Sequence, residues 1–246
     1  VTLGTLASAA AASRLMGLTV DQTRHALGIA ASHAAGMQAN FGTMTKPLHP
    51  GNGARSGITA ATLASKGYTA NQDIIEAHLG YVAVFGDKQA NINAMTHQLG
   101  DAQWQIVNPG FKIKEWPCCY GNHGAVPMLI DLVHKYEIQP DQVESVEFIG
   151  GMGASGFLNR PDTDTYFGGK FSLQFNIAAA VVDGAMSYDT FTDEKVNSPE
   201  IRDMMSRVEL KDDIMTKDLP GRIHSQHRDQ NVVINMKDGR SVSDTI

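Results

Sequence analysis

The stretch TKPLHPGNGARSG, residues 45–57, separates the helices that are predicted for the first half of this chain. Ala-rich sequence that favours helix lies on both sides of it, in residues 3–16 and 20–35 before it and in residues 54–65 after it. The stretch itself gathers a lysine, a histidine and an arginine among glycines and prolines, which interrupt helices. We therefore expect a loop here, and loops are where binding residues concentrate.

The flanking segments carry further helix signals. Thr19 and Gln22 have the spacing of a capping box at the start of the second predicted helix, which should end at Gly36. Because Pro47 disfavours helical conformation in the residue before it, Lys46 is expected to project from the loop. These helix signals therefore predict an all-helical domain for residues 1–110.

After Pro109 the sequence changes to a mixture of strands and helices. Alternating apolar residues predict strands, and longer periodic runs predict helices. Strands are predicted at residues 111–116, 143–150, 207–213 and 231–246, the last with a hairpin turn, and helices at residues 126–137, 172–184 and from Pro199 onward. The predicted fold class is therefore a mainly α-helical domain, residues 1–110, followed by a smaller α+β domain, residues 111–246.

Composition narrows the class of partner. Lys and Arg number 20 against 26 Asp and Glu, a net charge of -6 over 246 residues. Such a chain has no basic field for nucleic acid or an anionic membrane surface, and no apolar run reaches the ~18 residues of a membrane span. We expect no nucleic-acid and no membrane partner. Two adjacent cysteines and the lack of a signal-peptide pattern predict a cytoplasmic protein, or a mitochondrial one in a eukaryote.

The 45–57 stretch has the residues of a carboxylate or phosphate site. Lys46 and His49 lie close together, Arg55 follows, and the N-terminus of the next helix attracts anions. We take these three side chains as candidate substrate-contacting residues. The alternative is a solvated polar loop that caps a helix.

A second candidate is WPCCYGNHG, residues 116–124. His123 lies just before a predicted helix, and a neutral histidine there can act as base or acid near pH 7. The alternative is a packed or surface histidine. Vicinal cysteines are poorly placed for a disulfide, so Cys118 and Cys119 are expected to be small buried hydrophobic residues.

Three further sequence patterns resemble binding sites. Arg160, within Asn159-Arg160-Pro161, has the chemistry to bind a carboxylate bidentately, or it stabilises its loop. Residues 151–156 fit G-x-G-x-x-G, but Pro161 follows in place of an amphipathic helix, so we expect no dinucleotide site. His224 and His227 resemble a metal pair, but they lie among arginines, and no zinc-type spacing exists, so no metal is expected.

Four blocks, in order through nearly the whole chain, resemble the MmgE/PrpD family, which includes 2-methylcitrate dehydratase and cis-aconitate decarboxylase. The blocks are GTLASAAAASRLMGL, ASHAAGMQANFGTMTKPLHPGNGARSGITAATLASKGYT, PCCYGNH and NRPDTDTYFGGKFSLQFNIAAAVVDG. The resemblance implies a large helical domain and a smaller α+β lid, with a site in the cleft between them, usually in a homodimer. It also implies cofactor-independent lyase chemistry, with the family's active-site lysine at Lys46 and an active-site histidine at His123.

Two departures from the family pattern shape the expected activity. The N-terminal helices and the C-terminal end of family members are missing, so we expect a piece of a longer protein. Phe157 stands where a tyrosine is expected in the decarboxylases. The leading expectation is therefore a lyase like 2-methylcitrate dehydratase, an enzyme of propionate metabolism. The alternatives are a cis-aconitate decarboxylase-like enzyme, a dicarboxylate isomerase or epimerase, and an inactive fragment or paralogue that binds organic acids.

Overall fold

The computed structural model describes residues 2–86, 90–97, 99–100, 104–150, 156–211 and 230–246. The chain divides into two compact units. The first comprises Val1–Gln38 and Met44–Phe111, and the second comprises Ala39–Thr43 and Lys112–Ile246. The short segment Ala39–Thr43 thus packs with the second unit although helices of the first unit flank it.

The first unit is built on three helices that contact one another: α1 Thr2–Leu15, α2 Val20–Ala31 and α3 Thr45–Ser65. Two short helices follow, α4 Tyr81–Phe85 and α5 Ile92–Thr96. The predicted capping box forms, because the Gln22 N–H donates to Thr19 Oγ1 at 3.2 Å and the Thr19 N–H donates to Gln22 Oε1 at 3.0 Å. Helix α2 ends earlier than predicted, since the N–H groups of Ser32 and His33 bond to carbonyls three residues back.

The core of the first unit is made of small side chains, which lets the helices approach closely. Its buried residues are Ala9, Ala12, Ala26, Ile29, Ala30, Ala60, Ala61 and Ala64. The closest approach is at Gly57 of α3, where an added Cβ would lie 2.5 Å from the backbone nitrogen of Ala9. Glycine is therefore the residue that the contact between α1 and α3 permits.

Helix α3 begins at Thr45, so the loop predicted before residue 54 is wrong over residues 45–53, whereas the helix predicted from residue 54 is confirmed. Pro47 falls among the first N–H positions of the helix, which have no intrahelical acceptor, and it therefore removes no hydrogen bond. Pro50 removes one bond inside the helix. The helix continues through it because α3 packs against both α1 and α2, and tertiary packing outweighs local propensity.

The second unit combines helices with a four-stranded mixed sheet. The helices are α6 Ala125–Lys135, α7 Tyr166–Gly169, α8 Leu173–Asp183, α9 Asp193–Val196 and α10 Pro199–Ser206. The strands are β1 Val143–Ile149, β2 Val208–Lys211, β3 Asn231–Met236 and β4 Ser241–Thr245, in the order β2-β1-β3-β4. The pair β1–β2 is parallel, and β3 pairs antiparallel with both β1 and β4.

One face of the sheet forms the core of this unit. Alternate residues of β1 and β3 are buried there, including Val146, Phe148 and Ile234. Helix α8 is almost wholly buried, and it begins where Ser172 Oγ accepts the N–H of Phe175 at 3.1 Å. Helices α6 and α8, which pack against each other, both contact strands of this sheet.

The predicted hairpin forms between β3 and β4, with Gly239 at φ 88° in its turn. The strand predicted at residues 111–116 does not form: no described strand pairs with it, and Phe111 and Ile113 are 70% and 85% exposed. An alternating pattern makes a strand only where a partner supplies hydrogen bonds. In the described part of the chain, no helix combines the length and apolar character needed to cross a lipid bilayer.

Candidate active site

Lys46 and His49 lie together in the first turns of α3. Lys46 is the second residue of the helix and is half-buried, and His49 is 9% exposed. Residues three apart on a helix are neighbours on its surface, so both side chains share the face that packs inward. The first N–H groups of a helix also lack intrahelical partners and lie at the positive end of the helix dipole. The arrangement suits a carboxylate.

Arg55 does not join these two residues. It lies nine positions after Lys46 on the same helix, and at about 100° per residue its side chain leaves from the opposite side. The side chain is exposed. The sequence-based grouping of Arg55 with Lys46 assumed a loop, and the continuous helix separates them.

His123 ends a single 3₁₀ turn, Tyr120–Asn122, just before α6. Its N–H donates to the Tyr120 carbonyl at 3.0 Å. Its ring is stacked on Tyr120 at 5.4 Å between centroids and lies 5.2 Å from the Trp116 ring. The Nε2 atom is buried and has no hydrogen-bond partner among the described residues.

The surroundings of His123 favour its neutral form. Burial lowers the pKa of the imidazole below its usual 6.5, and the positive charge of Lys114 lowers it further. A hydrogen bond to the Trp116 backbone and the charge of Glu115 oppose the shift and raise the pKa.

Lys114 belongs to the electrostatics of this site, although no sequence pattern singled it out. Its Nζ donates to the Cys118 carbonyl at 2.7 Å, which holds the ammonium near the His123 turn. The strand predicted at residues 111–116 gives Lys114 no role in a site. The available signal was a pair of lysines, Lys112 and Lys114, directly before the WPCCYGNHG motif.

The environment of Cys118 does not favour a nucleophile. Both are free thiols, Cys118 buried and Cys119 half-buried. Burial raises the pKa of the Cys118 thiol to about 11, so it is protonated and unreactive near neutral pH. This agrees with their expected role as small apolar residues.

Arg160 is fixed within its own loop. Its Nε donates to the Phe157 carbonyl at 2.9 Å, its N–H to Gln174 Oε1 at 3.0 Å, and its carbonyl accepts from Ser172 Oγ at 2.8 Å. Gly42, with φ 80°, approaches the guanidinium so closely that a Cβ there would lie 2.6 Å from Nη1. These contacts favour the loop-stabilising role, and a contact with substrate stays a prediction.

Two sequence patterns fall outside the described residues: most of G-x-G-x-x-G, at residues 151–155, and the pair His224 and His227. Within the described ranges, His, Cys, Asp and Glu side chains nowhere gather in a group of three that is placed to hold a metal ion.

The MmgE/PrpD N-terminal domain matches residues 1–93, and the MmgE/PrpD C-terminal domain matches residues 116–245. The two matched regions cover most of the chain in the family's order. The chain therefore belongs to the MmgE/PrpD family.

Curated relatives narrow the comparison to named enzymes. The chain is 30% identical over 214 residues to the cis-aconitate decarboxylase of Homo sapiens, covering 85% of this chain and 44% of the relative. It is 30% identical to that of Mus musculus, covering 85% and 43%. It is 27% identical over 260 residues to a cis-aconitate decarboxylase-like protein of Aspergillus oryzae, covering 99% and 52%. The chain spans about half the length of the curated relatives it matches.

The names of these relatives denote carboxy-lyases. The expected preference for a hydro-lyase has no support among them. Each match describes similarity of this chain to part of a longer enzyme.

Proposed function

We propose that this chain is part of a cofactor-independent lyase that removes a carboxyl group from a small tricarboxylic acid such as cis-aconitate. The observation that carries the proposal is the family match over both halves, together with relatives that are named cis-aconitate decarboxylases. The absence of a cofactor follows from the resemblance to the family. The proposal replaces the dehydratase as the leading candidate.

Lys46 is proposed to hold a substrate carboxylate. Loss of CO₂ leaves an electron pair on the substrate, and a fixed ammonium beside helix N–H groups stabilises such charge before and during the step. The half-buried position of Lys46 beside His49 in the first turn of α3 supports this role.

His123 is proposed to supply the proton. When the carbon–carbon bond breaks, CO₂ leaves and a substrate carbon takes up a proton in its place. An imidazolium with a lowered pKa is a stronger acid than free histidine, and Nε2 has no competing acceptor in the described part of the chain. The features that lower the pKa therefore strengthen the imidazolium as an acid, while they reduce the fraction of it present at pH 7.

The test is a ¹H NMR assay of the purified protein with cis-aconitate, citrate and 2-methylcitrate. We expect CO₂ loss from cis-aconitate, and we expect Lys46→Ala to reduce turnover by about 10²-fold because a charge that stabilises the transition state is lost. Lys66→Ala, at the exposed C-terminal cap of the same helix, is the matched control and should keep wild-type turnover. Unchanged turnover in Lys46→Ala would remove Lys46 from the mechanism.

A second candidate, a 2-methylcitrate dehydratase-like enzyme, is favoured by Phe157. This residue has no hydroxyl where the decarboxylase pattern has a tyrosine, and its ring packs edge-on against Phe41 at 5.2 Å. The same NMR assay separates the two candidates, because loss of water from 2-methylcitrate and loss of CO₂ from cis-aconitate give different products.

The family resemblance carries two more proposals: that residues 111–246 act as a lid, and that the protein is a homodimer. That the protein works in the cytoplasm is a proposal from its cysteine content and the lack of a signal-peptide pattern. Light scattering on the purified protein tests the homodimer, since a dimer has twice the chain mass.

A further inference from the structure

The orientation of His123 depends on the short turn that carries it. The turn is a single 3₁₀ segment, and its internal bonds run from the N–H groups of Asn122 and His123 to the carbonyls of Cys119 and Tyr120. One turn of 3₁₀ helix has little stability by itself. What fixes the imidazole must therefore be the contacts that this turn makes with the rest of its unit.

The main external contact is the carbonyl of Lys170. It accepts the backbone N–H of Cys119 at 2.8 Å and the side-chain Nδ2 of Asn122 at 3.3 Å. Asn122 is 0% exposed, so this bond is shielded from water. The amide thus joins the residue before the histidine to the segment at Lys170.

The accepting segment is itself held in place. Asn176, in α8 and also 0% exposed, donates through Nδ2 to the carbonyls of Gly169 at 2.8 Å and Ser172 at 2.6 Å. These two carbonyls flank Lys170. The bond from Asn122 therefore ends on a backbone segment that is clamped to a buried helix.

Stability alone does not account for Asn122. Its Oδ1 atom is buried with no partner among the described residues, and an unpaired buried carbonyl oxygen disfavours folding. A small apolar residue would avoid that cost at this position. The retained amide makes sense if its donated bond serves to hold the neighbouring histidine.

We propose that Asn122 is the positioning residue for His123, and that it fixes the imidazole by tying its turn to the Lys170 carbonyl. The inference rests on the proposed role of His123 in proton transfer. Asn122 itself does not contact the substrate in this proposal; its effect on turnover passes through the histidine.

The first test compares Asn122→Ala with Asn197→Ala. Asn197 lies in the same unit, and its amide also donates to backbone carbonyls, those of Asp164 and Asp193 at 2.7 Å. The readout is the His123 pKa, measured by NMR titration of labelled histidine and assigned by the signal that is missing in His123→Gln. We expect Asn122→Ala to move the pKa up toward 6.5, because the loosened turn admits water, and Asn197→Ala to leave it unchanged.

The second readout is kinetic. A misplaced proton donor slows chemistry more than binding, so we expect Asn122→Ala to lower kcat by about 10-fold to 100-fold while KM changes less than about threefold. An unchanged His123 pKa together with wild-type kcat overturns the proposal, and so does an equal effect in Asn197→Ala. If Asn122→Ala does not fold, Asn122→Ser, which keeps a polar side chain too short to reach Lys170, is measured in the same way.

The two claims fail separately. If the wild-type protein converts none of the three acids, the proposed function is wrong, and the histidine titration still decides whether Asn122 controls the imidazole. If turnover is present and both the titration and kcat are insensitive to Asn122→Ala, the lyase assignment stands and the positioning role is wrong.

Discussion

At the scale of single residues, the protonation state of His123 decides which direction of proton transfer the site favours. Its Nε2 is buried without a partner in the described protein, and burial and Lys114 both lower the pKa of the ring. At pH 7 the ring is therefore mainly neutral. A proton donor must come from the minor protonated fraction, whereas a proton acceptor is already in place.

This gives the first pH prediction. For decarboxylation with His123 as donor, kcat/KM should be highest at acid pH and should fall as pH rises through an apparent pKa below 6.5, because the protonated fraction is lost. The His123→Gln variant should lose that pH dependence. A rise of kcat/KM over the same interval would instead assign His123 to proton removal, as a dehydratase needs.

Folding must be checked across the same pH range. The folded-state pKa of His123 lies below that of the unfolded chain, so the unfolded state binds the proton first as pH falls. His123 therefore lowers the stability of the folded protein once the pH drops below about 6.5. Circular dichroism at each pH measures how much protein remains folded. It therefore separates this loss of stability from a true pH dependence of kcat/KM.

The candidate site was only partly predictable from sequence, and single residues show why. Lys46 and His123 are predicted because their motifs match a family pattern, and His49 because it lies one turn from Lys46; their roles stay predictions. Arg55 was grouped with them on the assumption of a loop, which the helix overturned. Asn122 is not predictable because its amide bonds to Lys170, which is distant in sequence. Lys114 is not predictable because it lies in irregular backbone, where apolar residues follow neither helix nor strand periodicity.

At the scale of elements, helix α3 shows how packing overrides local rules. Gly57 faces α1, where an added Cβ would lie 2.5 Å from the Ala9 nitrogen and 2.6 Å from the Ser8 carbonyl carbon. Alanine is a better helix former than glycine, but backbone atoms cannot move aside as a flexible side chain can. The close contact should therefore decide whether Gly57→Ala stabilises or destabilises the protein.

We expect Gly57→Ala to destabilise the protein by about 1–3 kcal/mol through overpacking. The control is Gly51→Ala in the same helix, where an added Cβ meets nothing within 4 Å and helix propensity should give a gain of up to about 1 kcal/mol. Urea denaturation measures both. Equal effects at the two positions would show that helix propensity, not the contact with α1, controls α3.

Elements with strong local signals were predicted well. The capping box at Thr19, the helix predicted at residues 172–184 and the β3–β4 hairpin each have a physical cause within a few residues. The start of α3 was missed because prolines were taken as breakers, although the first turn of a helix tolerates them. The strand at residues 111–116 was wrongly predicted because alternation alone does not supply a partner strand.

At the scale of the whole molecule, the chain consists of two units with different kinds of core. The first unit packs small side chains between three helices, and the second packs large aliphatic and aromatic side chains between helices and one sheet face. A change in residue pattern near residue 110 predicts the domain boundary, and the two family models match residues 1–93 and 116–245. Association of the chain with a second copy leaves no such local pattern in a sequence, so the homodimer stays a proposal.

Ligand-dependent stability tests the function of the chain as a whole. Propane-1,2,3-tricarboxylate resembles the proposed substrate but has no double bond to react, so it reports binding alone. At about 100 times its Kd it should add about 2.7 kcal/mol to the folded state and raise Tm by roughly 5–10 °C. Acetate at equal ionic strength is the control for unspecific salt effects and should give no comparable shift.

The same melting experiment separates three classes of protein. A tricarboxylate shift that is lost in Lys46→Ala and kept in Lys66→Ala supports an organic-acid site at the start of α3. If that shift occurs without conversion of any acid, the protein binds organic acids and is not a lyase. A shift with NAD or NADP in place of the tricarboxylate would indicate a dinucleotide site and contradict the proposed function, because a ligand stabilises only the fold that binds it.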